Sequence, residues 1–364
     1  MNKTSASPLA LIYAGLLVYA SLYPFADWRD QGIVPWAFLS APFPKYWTYF
    51  DVVTNVVGYA PFGFLLVLSA LRRGKQRHVI AVATLMAGAL SLIMESVQGY
   101  LPNRVPSNVD LGLNVIGAGL GAWLAWALER MGVVARWRRF RSRWFVEDAR
   151  GALVLLALWP LALMFPAAVP FGLGQVLERI EATLAVALQN TPFLNWLPLR
   201  VVELQPLVPI AELVCVMLGI VIPCLMGYCV IRSVRQRPVL VLAVFAVGML
   251  ATALSAALSY GPEHAWAWFS PAVKAGLVSA LVLLTLMLGV TRRGGSALVL
   301  LALGIYLSLL NQAPTSAYFA QTLSTWEQGR FIRFHGLAQW LGWSWPYAVL
   351  VYTLTRVGAR ELKN

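Results

Sequence analysis

Long apolar runs separated by short polar segments dominate the hydrophobic pattern of the chain. Each run is long enough to cross a hydrocarbon layer about 30 Å thick at about 1.5 Å per helical residue. The shortest, Ser296 to Leu310, needs flanking residues to reach both interfaces. We predict transmembrane helices at Leu9 to Phe25, Val52 to Leu71, Val79 to Gln98, Leu111 to Leu128, Ala152 to Val169, Leu207 to Ile231, Val239 to Leu258, Ala272 to Val290, Ser296 to Leu310 and Leu337 to Leu354.

Composition excludes an ordinary soluble domain. Of the 364 residues, 59% are apolar and 12% are charged, whereas soluble domains have about half apolar residues and about a quarter charged ones. Backbone polar groups inside a bilayer must be paired within the protein, which a helix achieves by itself. The predicted fold is therefore an all-α polytopic membrane protein of about ten transmembrane helices.

The basic residues predict the orientation of these helices. Lys and Arg in short connections are retained on the cytoplasmic side, and most of the 28 in this chain lie in alternate connections and near the two ends. We therefore expect both termini in the cytoplasm. The net charge of +13 is spread over segments that flank the membrane, where it meets anionic lipid. For this reason we expect no nucleic-acid partner.

A basic stretch divides the chain into two predicted bundles. Residues 129–150 carry seven arginines interleaved with Trp137, Phe140, Trp144 and Phe145. Such a segment suits the surface of an anionic inner leaflet. We predict a four-helix domain over residues 1–128, a cytoplasmic interfacial linker over 129–150 and a six-helix domain over 151–364.

The six-helix domain also has predicted outer-face segments. Gln175 to Gln189 spaces its leucines and isoleucine as one face of a helix does, which predicts a short helix along the outer surface. Arg330 and Arg333 stand three residues apart in another outer segment and are a candidate contact for one anionic group.

Polar residues of the first bundle gather at one predicted depth. Pairs four residues apart, Asp51 with Asn55 and Asp110 with Asn114, begin the second and fourth helices, so each pair faces one way. Glu95 and Gln98 end the third helix, and Arg104 lies in the connection that follows. A carboxylate within the apolar region needs a partner, and Arg104 is the one expected for Glu95. The candidate outer-leaflet site is Asp51, Asn55, Glu95, Gln98, Arg104, Asp110 and Asn114.

Capping offers an alternative explanation for two of these residues. Asp51 and Asp110 stand near helix amino ends, where a carboxylate accepts backbone hydrogen bonds and suits the helix dipole. Two backbone patterns accompany the cluster. Pro61 removes a donor inside the second helix, so we expect a bend there. Gly117 and Gly121 give the fourth helix a small-residue face that permits close helix approach.

The combined pattern resembles the VanZ-like family of membrane proteins. The resemblance covers about residues 11–128 and rests on Asp51-x-x-x-Asn55 with Tyr59, Pro61, Gly63 and Phe64, then Glu95-x-x-Gln98, Arg104, Ser107 and Asp110-x-x-x-Asn114-x-x-Gly117. The family is associated with teicoplanin resistance, and its members often accompany cell-envelope or exopolysaccharide functions. The resemblance assigns no catalytic residue.

Three functions are consistent with this pattern. The first is binding or remodelling of a polar or anionic envelope molecule, such as a lipid-linked saccharide or a lipoglycopeptide, in the bacterial inner membrane, with a contribution to glycopeptide resistance or envelope polysaccharide biology. The second is a lipid-phosphate or glycan transfer enzyme, and the third is a transporter or flippase. We expect membrane lipids as partners and neither a cofactor nor a metal, because metal-binding sequence motifs are absent.

Overall fold

A computed structural model describes residues 6–23, 25, 27–32, 34–43, 49–74, 77–165, 167–196, 207–260, 262–313 and 332–361. Over these ranges the chain is helical and contains no strand. The helices are α1 Ala6–Leu22, α2 Tyr49–Arg72, α3 Val79–Gln98, α4 Asn108–Arg130, α5 Val133–Trp144, α6 Arg150–Ala162, α7 Leu177–Ala187, α8 Pro209–Val230, α9 Arg237–Tyr260, α10 Pro271–Leu286, α11 Arg292–Leu310 and α12 Ile332–Glu361.

Every predicted transmembrane run overlaps one of these helices, although α6 ends at Ala162, seven residues before the predicted end at Val169. Within the described ranges, six segments are long and apolar enough to cross a membrane: Asp51–Arg72, Val79–Gln98, Asn108–Arg130, Pro209–Val230, Val234–Ser259 and Arg292–Leu310. α1, α6 and α10 are shorter apolar helices. The count of ten crossings and the position of the termini stay predictions. The short helix expected within residues 175–189 is α7.

The chain forms two compact units, residues 1–140 and 141–364. The division falls within α5, inside the basic stretch. In the first unit, α2 and α4 approach so closely that glycine is required at three positions. A Cβ atom at Gly63 would overlap the carbonyl of Ala118, and Cβ atoms at Gly117 and Gly121 would overlap the carbonyls of Val56 and Ala60. This confirms the predicted close-packing face. α2 continues through Pro61 to Arg72.

The second unit is organised around α8. This helix is buried along most of its length, and its neighbours include α10 and α11. The largest side chains buried around it include Trp159, Tyr228 and Tyr306.

A buried non-helical segment, residues 169–174, follows α6 in this unit. The Tyr306 hydroxyl donates to the carbonyl of Phe171 at 2.6 Å and accepts from the N–H of Leu173. Asn311 Oδ1 accepts from the N–H groups of Val176 and Leu177 at 3.0 Å, at the start of α7. Non-helical backbone is tolerated at membrane depth when protein groups pair it in this way.

Candidate functional site

The predicted site residues lie at one end of the first unit, which we call the polar end. α2 and α4 begin there and α3 ends there, as two contacts between helices show. Asn55 Nδ2 donates to Asp110 Oδ1 at 2.8 Å, which joins α2 to α4. The backbone N–H of Ser107 donates to Glu95 Oε2 at 2.9 Å, which joins α3 to the start of α4.

Ser107 caps α4, and Asp110 stands in the first turn that follows. The Ser107 hydroxyl accepts from the N–H groups of Val109 and Asp110 at 3.2 and 3.4 Å. In a capping box, the acidic residue three positions after the cap accepts from the N–H of the cap residue. Here Glu95, from another helix, accepts that hydrogen bond, and the Asp110 carboxylate accepts from Asn55 instead. Asp110 thus connects α4 to α2, in addition to lying near the amino end of α4.

Glu95 is held where its charge is favourable. Glu95 is only 5% exposed, and the negative charge of a carboxylate so buried needs stabilisation by a hydrogen bond or a positive charge. The N–H of Ser107 and the positive end of the α4 dipole supply it. Glu95 therefore fixes the carboxyl end of α3 against the amino end of α4.

Gln98 and Arg104 hold the end of α1. The last carbonyls of a helix have no partner within it. Gln98 Nε2 donates to the carbonyl of Ser21 at 2.9 Å, and Arg104 Nη2 donates to the carbonyl of Tyr23, just after the helix, at 2.7 Å. A cation also suits the negative end of a helix dipole. The ion pair expected between Glu95 and Arg104 stays a prediction.

Asn114 lies one turn deeper than Asp110 and belongs to a buried polar group. Its Nδ2 donates to the hydroxyl of Ser91 at 2.9 Å. Tyr59, on α2, lies beside Ser91 and Glu95. Sequence reasoning did not select Ser91 as a site residue, although it stands four positions before Glu95 and therefore on the same face of α3.

Exposure separates the seven predicted residues into two sets. Asp51, Asn55, Arg104 and Asp110 are half-buried. Glu95, Gln98 and Asn114 are buried. The first set is partly exposed, whereas Glu95 and Gln98 bond the ends of neighbouring helices and Asn114 bonds Ser91 one turn deeper.

The segment after α1 crosses the polar end, which the sequence did not predict. The N–H of Arg29 donates to the carbonyl of Tyr100 at 3.0 Å, and Gln31 Nε2 donates to the carbonyl of Gly99 at 2.8 Å. Asn108 Nδ2 donates to the carbonyl of Ala41 at 2.7 Å. This segment exposes the side chains of Trp28, Trp36 and Phe43.

The two arginines predicted to contact an anionic group lie partly outside the described residues. Arg330 falls outside them, and Arg333 lies in α12 with its side chain not described. Across the described part of the chain, no group of three or more His, Cys, Asp or Glu side chains is arranged to hold a metal ion.

A comparison with protein families identifies the first unit. Residues 8–129 match the family described as VanZ/LLP1, which confirms the resemblance predicted for residues 11–128. The match covers all of the predicted polar site and about a third of the chain. No curated protein and no solved structure gives a match. With its apolar helices, the chain is a multi-pass membrane protein whose residues 8–129 are similar to the VanZ/LLP1 family.

Proposed function

We propose that this chain, whose first unit is similar to the VanZ/LLP1 family, binds or remodels a polar or anionic molecule of the bacterial envelope at its polar end. The supporting observation is the arrangement of half-buried Asp51, Asn55, Arg104 and Asp110 above the buried Glu95. Four polar side chains accessible at one end of an apolar helix bundle suit a ligand with a hydrated headgroup.

The charged and polar side chains at the polar end limit which kinds of ligand fit there. Arg104 is half-buried and anchored through the carbonyl of Tyr23, so it supplies positive charge at a fixed place. Asp110 and Asn55 supply a hydrogen-bonding edge that orients hydroxyl or amide groups. Lipid-linked saccharides and lipoglycopeptides combine such groups with an apolar anchor. Binding them would connect the domain to glycopeptide resistance or to envelope polysaccharide biology.

The proposal requires the polar end to face away from the cytoplasm of an inner membrane. Cysteine labelling in intact cells tests this, because the three native cysteines are buried. A membrane-impermeant maleimide should label Asn103→Cys, an exposed position at the polar end, and should leave the exposed Arg77→Cys unlabelled until the cells are opened. The opposite labelling pattern would contradict the orientation.

The functional test is complementation of a deletion strain. Susceptibility to teicoplanin and other envelope-directed drugs is measured with wild type, Glu95→Gln and Arg104→Ala at equal membrane abundance. The matched control is Arg29→Ala, which removes an exposed arginine of the same region and keeps the backbone hydrogen bond to Tyr100. We expect both site variants to lose protection and the control to keep it. Full protection by both site variants would make the cluster purely structural, and no phenotype on deletion would remove the link to resistance.

The transfer-enzyme and transporter hypotheses stay predictions. No observation in the described residues favours either over binding.

A further inference from the structure

The segment after α1 ends in an apolar stretch that the described part of the chain leaves uncovered. Between Gln31 and Pro44 the sequence has no charged residue. The large apolar side chains that this stretch exposes are between 48% and 80% accessible, and they are Val34, Trp36, Leu39 and Phe43. We call residues 34–43 the apolar segment. An exposed apolar surface of this kind marks a contact with another protein or with a membrane.

Contacts with α4 hold the apolar segment in place. Its middle, Ala37–Ser40, is a short 3-10 helix that lies against α4, and Phe38 within it is buried. Next to this helix, Asn108 Nδ2 donates to the carbonyl of Ala41 at 2.7 Å. One side of the segment is therefore fixed to the first unit, while its exposed side chains face the surroundings of the protein.

The contact with α4 also sets the level of the apolar segment relative to a membrane. α4 is a candidate membrane span of 23 residues, which gives a length of about 34 Å at about 1.5 Å per residue. This length slightly exceeds the hydrocarbon core of about 30 Å. Asn108, the first residue of α4, therefore lies near the boundary between hydrocarbon and headgroups, and so does the segment that it bonds.

Exposed apolar surface continues from α4 to the apolar segment. Ile116 and Leu120 are exposed large side chains of α4, and in a membrane-spanning helix such side chains contact lipid. Val105, just before α4, is 84% exposed. The surface that meets the hydrocarbon core thus extends to the level of the apolar segment.

Charged residues of the segment after α1 all precede the apolar segment. Asp27, Arg29 and Asp30 are exposed. Charged groups followed by exposed Trp and Phe rings at a membrane boundary are typical of an interfacial segment, because aromatic rings concentrate at the headgroup level. A lipid surface therefore covers the apolar side chains without a further protein.

We propose that the apolar segment inserts into the headgroup boundary of the leaflet around the polar end, and that its side chains hold the polar end at this level. The partner is the lipid surface. Trp36 and Phe43 lie among the upper acyl groups, and Arg29 and Asp30 stay in water. The inference goes beyond the proposed function and does not rest on it. If both hold, the headgroup of a membrane-anchored ligand reaches the polar end from within the plane of the bilayer.

Depth-dependent fluorescence quenching tests the insertion. The full-length protein is placed in phosphatidylcholine nanodiscs with a single chain in each disc, and a bimane probe is attached to one introduced cysteine. The native cysteines are buried, and the unchanged protein gives the background labelling. Lipids that carry a doxyl group near the headgroup or near the chain end quench the probe from the membrane, and iodide quenches it from water.

Probes at Leu39→Cys and Phe43→Cys should report the membrane boundary. We expect their emission to shift to the blue, to lose intensity with the doxyl group near the headgroup and to keep its intensity with iodide. Leu120→Cys, an exposed position farther along α4, should lose intensity with the doxyl group near the chain end, and Arg29→Cys should lose it with iodide. Because each position of the segment is tested separately, a cysteine that disturbs folding at one of them leaves the other as the test.

Quenching by iodide without quenching by lipid at Leu39 or Phe43 would overturn the insertion. Protection from all three quenchers would overturn it as well, since protein would then cover the segment. Discs that hold two chains distinguish a second copy of the protein. Iodide quenching that disappears only in these discs would assign the apolar surface to a contact between copies.

A double variant tests whether the side chains hold the segment in the membrane. Trp36→Ser with Phe43→Ser should move the Leu39 probe towards water, measured as a red shift and a gain in iodide quenching, while the Leu120 probe stays unchanged. Trp28→Ser is the matched control, because it removes an exposed tryptophan from the charged part of the segment after α1. An unaffected Leu39 probe in the double variant would overturn the holding role of the side chains.

The insertion and the proposed function fail in different measurements. Glu95→Gln and Arg104→Ala, which should lose drug protection, should leave the Leu39 probe in lipid. Absence of lipid quenching in the otherwise unchanged protein, with drug protection that depends on Arg104, would overturn the insertion alone. Lipid quenching together with full drug protection by both site variants would overturn the proposed function alone.

Discussion

The Glu95 carboxylate and the backbone N–H of Ser107 form a hydrogen bond of 2.9 Å between two different helices. Ser107 also caps α4 with its own hydroxyl. The start of α4 therefore depends on an acceptor that α3 provides. Together with the bond from Asn114 to Ser91, this contact sets the height of the third helix against the fourth and so the position of Asp110 at the polar end.

Removal of the Glu95 acceptor should destabilise the first unit. Glu95→Ala leaves the half-buried N–H of Ser107 without its charged acceptor, which costs about 1–3 kcal/mol. Glu95→Gln retains a carbonyl acceptor and should lose less than half as much. Thermal and denaturant unfolding of the purified protein measure both. Equal destabilisation by the two variants would mean that the negative charge, rather than the hydrogen bond, holds the helix ends.

Gly121→Ala should force α2 and α4 apart. The added Cβ would overlap the carbonyl of Ala60, and overpacking of this kind costs about 1–3 kcal/mol. Gly112→Ala is the control on the same helix, because a Cβ there meets no atom within 4 Å. Alanine is the better helix former by about 1 kcal/mol, so the control should be neutral or stabilising. Unfolding midpoints of the two variants check the prediction, and a tolerated Gly121→Ala would contradict the backbone contact.

The contact between Asn55 and Asp110 should appear as coupling in a double-mutant cycle. Polar contacts between transmembrane helices contribute about 0.5–1.5 kcal/mol, so Asn55→Ala and Asp110→Ala should couple by that amount. A cycle of Asn55→Ala with Asn108→Ala should show almost none, since Asn108 bonds the carbonyl of Ala41 instead. Coupling of similar size in both cycles would indicate a general rearrangement of the polar end.

Asn311 should be required for the fold of the second unit. Its amide accepts from the N–H groups of Val176 and Leu177 and donates to the carbonyls of Gly174 and Leu307. Asn311→Leu leaves these groups without that partner, and we expect a loss of about 2–4 kcal/mol. Limited proteolysis should then cut near α7. The neighbouring Gln312→Leu, an exposed position, is the control and should resist cleavage as wild type does.

Helix positions and the close-packing face were predictable because both depend on local composition. An apolar run long enough to span a bilayer has few alternatives to a helix, and Gly117 and Gly121 four residues apart mark a face for a close neighbour. The gathering of Asn55, Glu95 and Asp110 also followed from sequence. Helices that alternate in direction bring the start of one beside the end of the next.

The hydrogen-bond partners of the site residues were less predictable than the positions of the helices. Arg104 bonds the carbonyl of Tyr23, and every residue has a carbonyl, so no sequence pattern distinguishes that one. Ser91 was missed because a serine in an apolar helix usually bonds its own backbone. Its spacing from Glu95 indicates its face of α3, but its bond to Asn114 is visible only in the structure. The segment after α1 is held by hydrogen bonds from Arg29 and Gln31 to the backbone carbonyls of Tyr100 and Gly99. Because every residue has a backbone carbonyl, the amino-acid sequence does not predict these contacts.

The contact of α2 with α4 has a consequence for biogenesis. Because the backbones of these helices touch at Gly63, Gly117 and Gly121, they can pair only after α3 and α4 have left the ribosome. Until then Asn55 enters the bilayer without Asp110. The packing of α2 is therefore completed only when α4 is present, so these two crossings reach their native contact together and not one at a time.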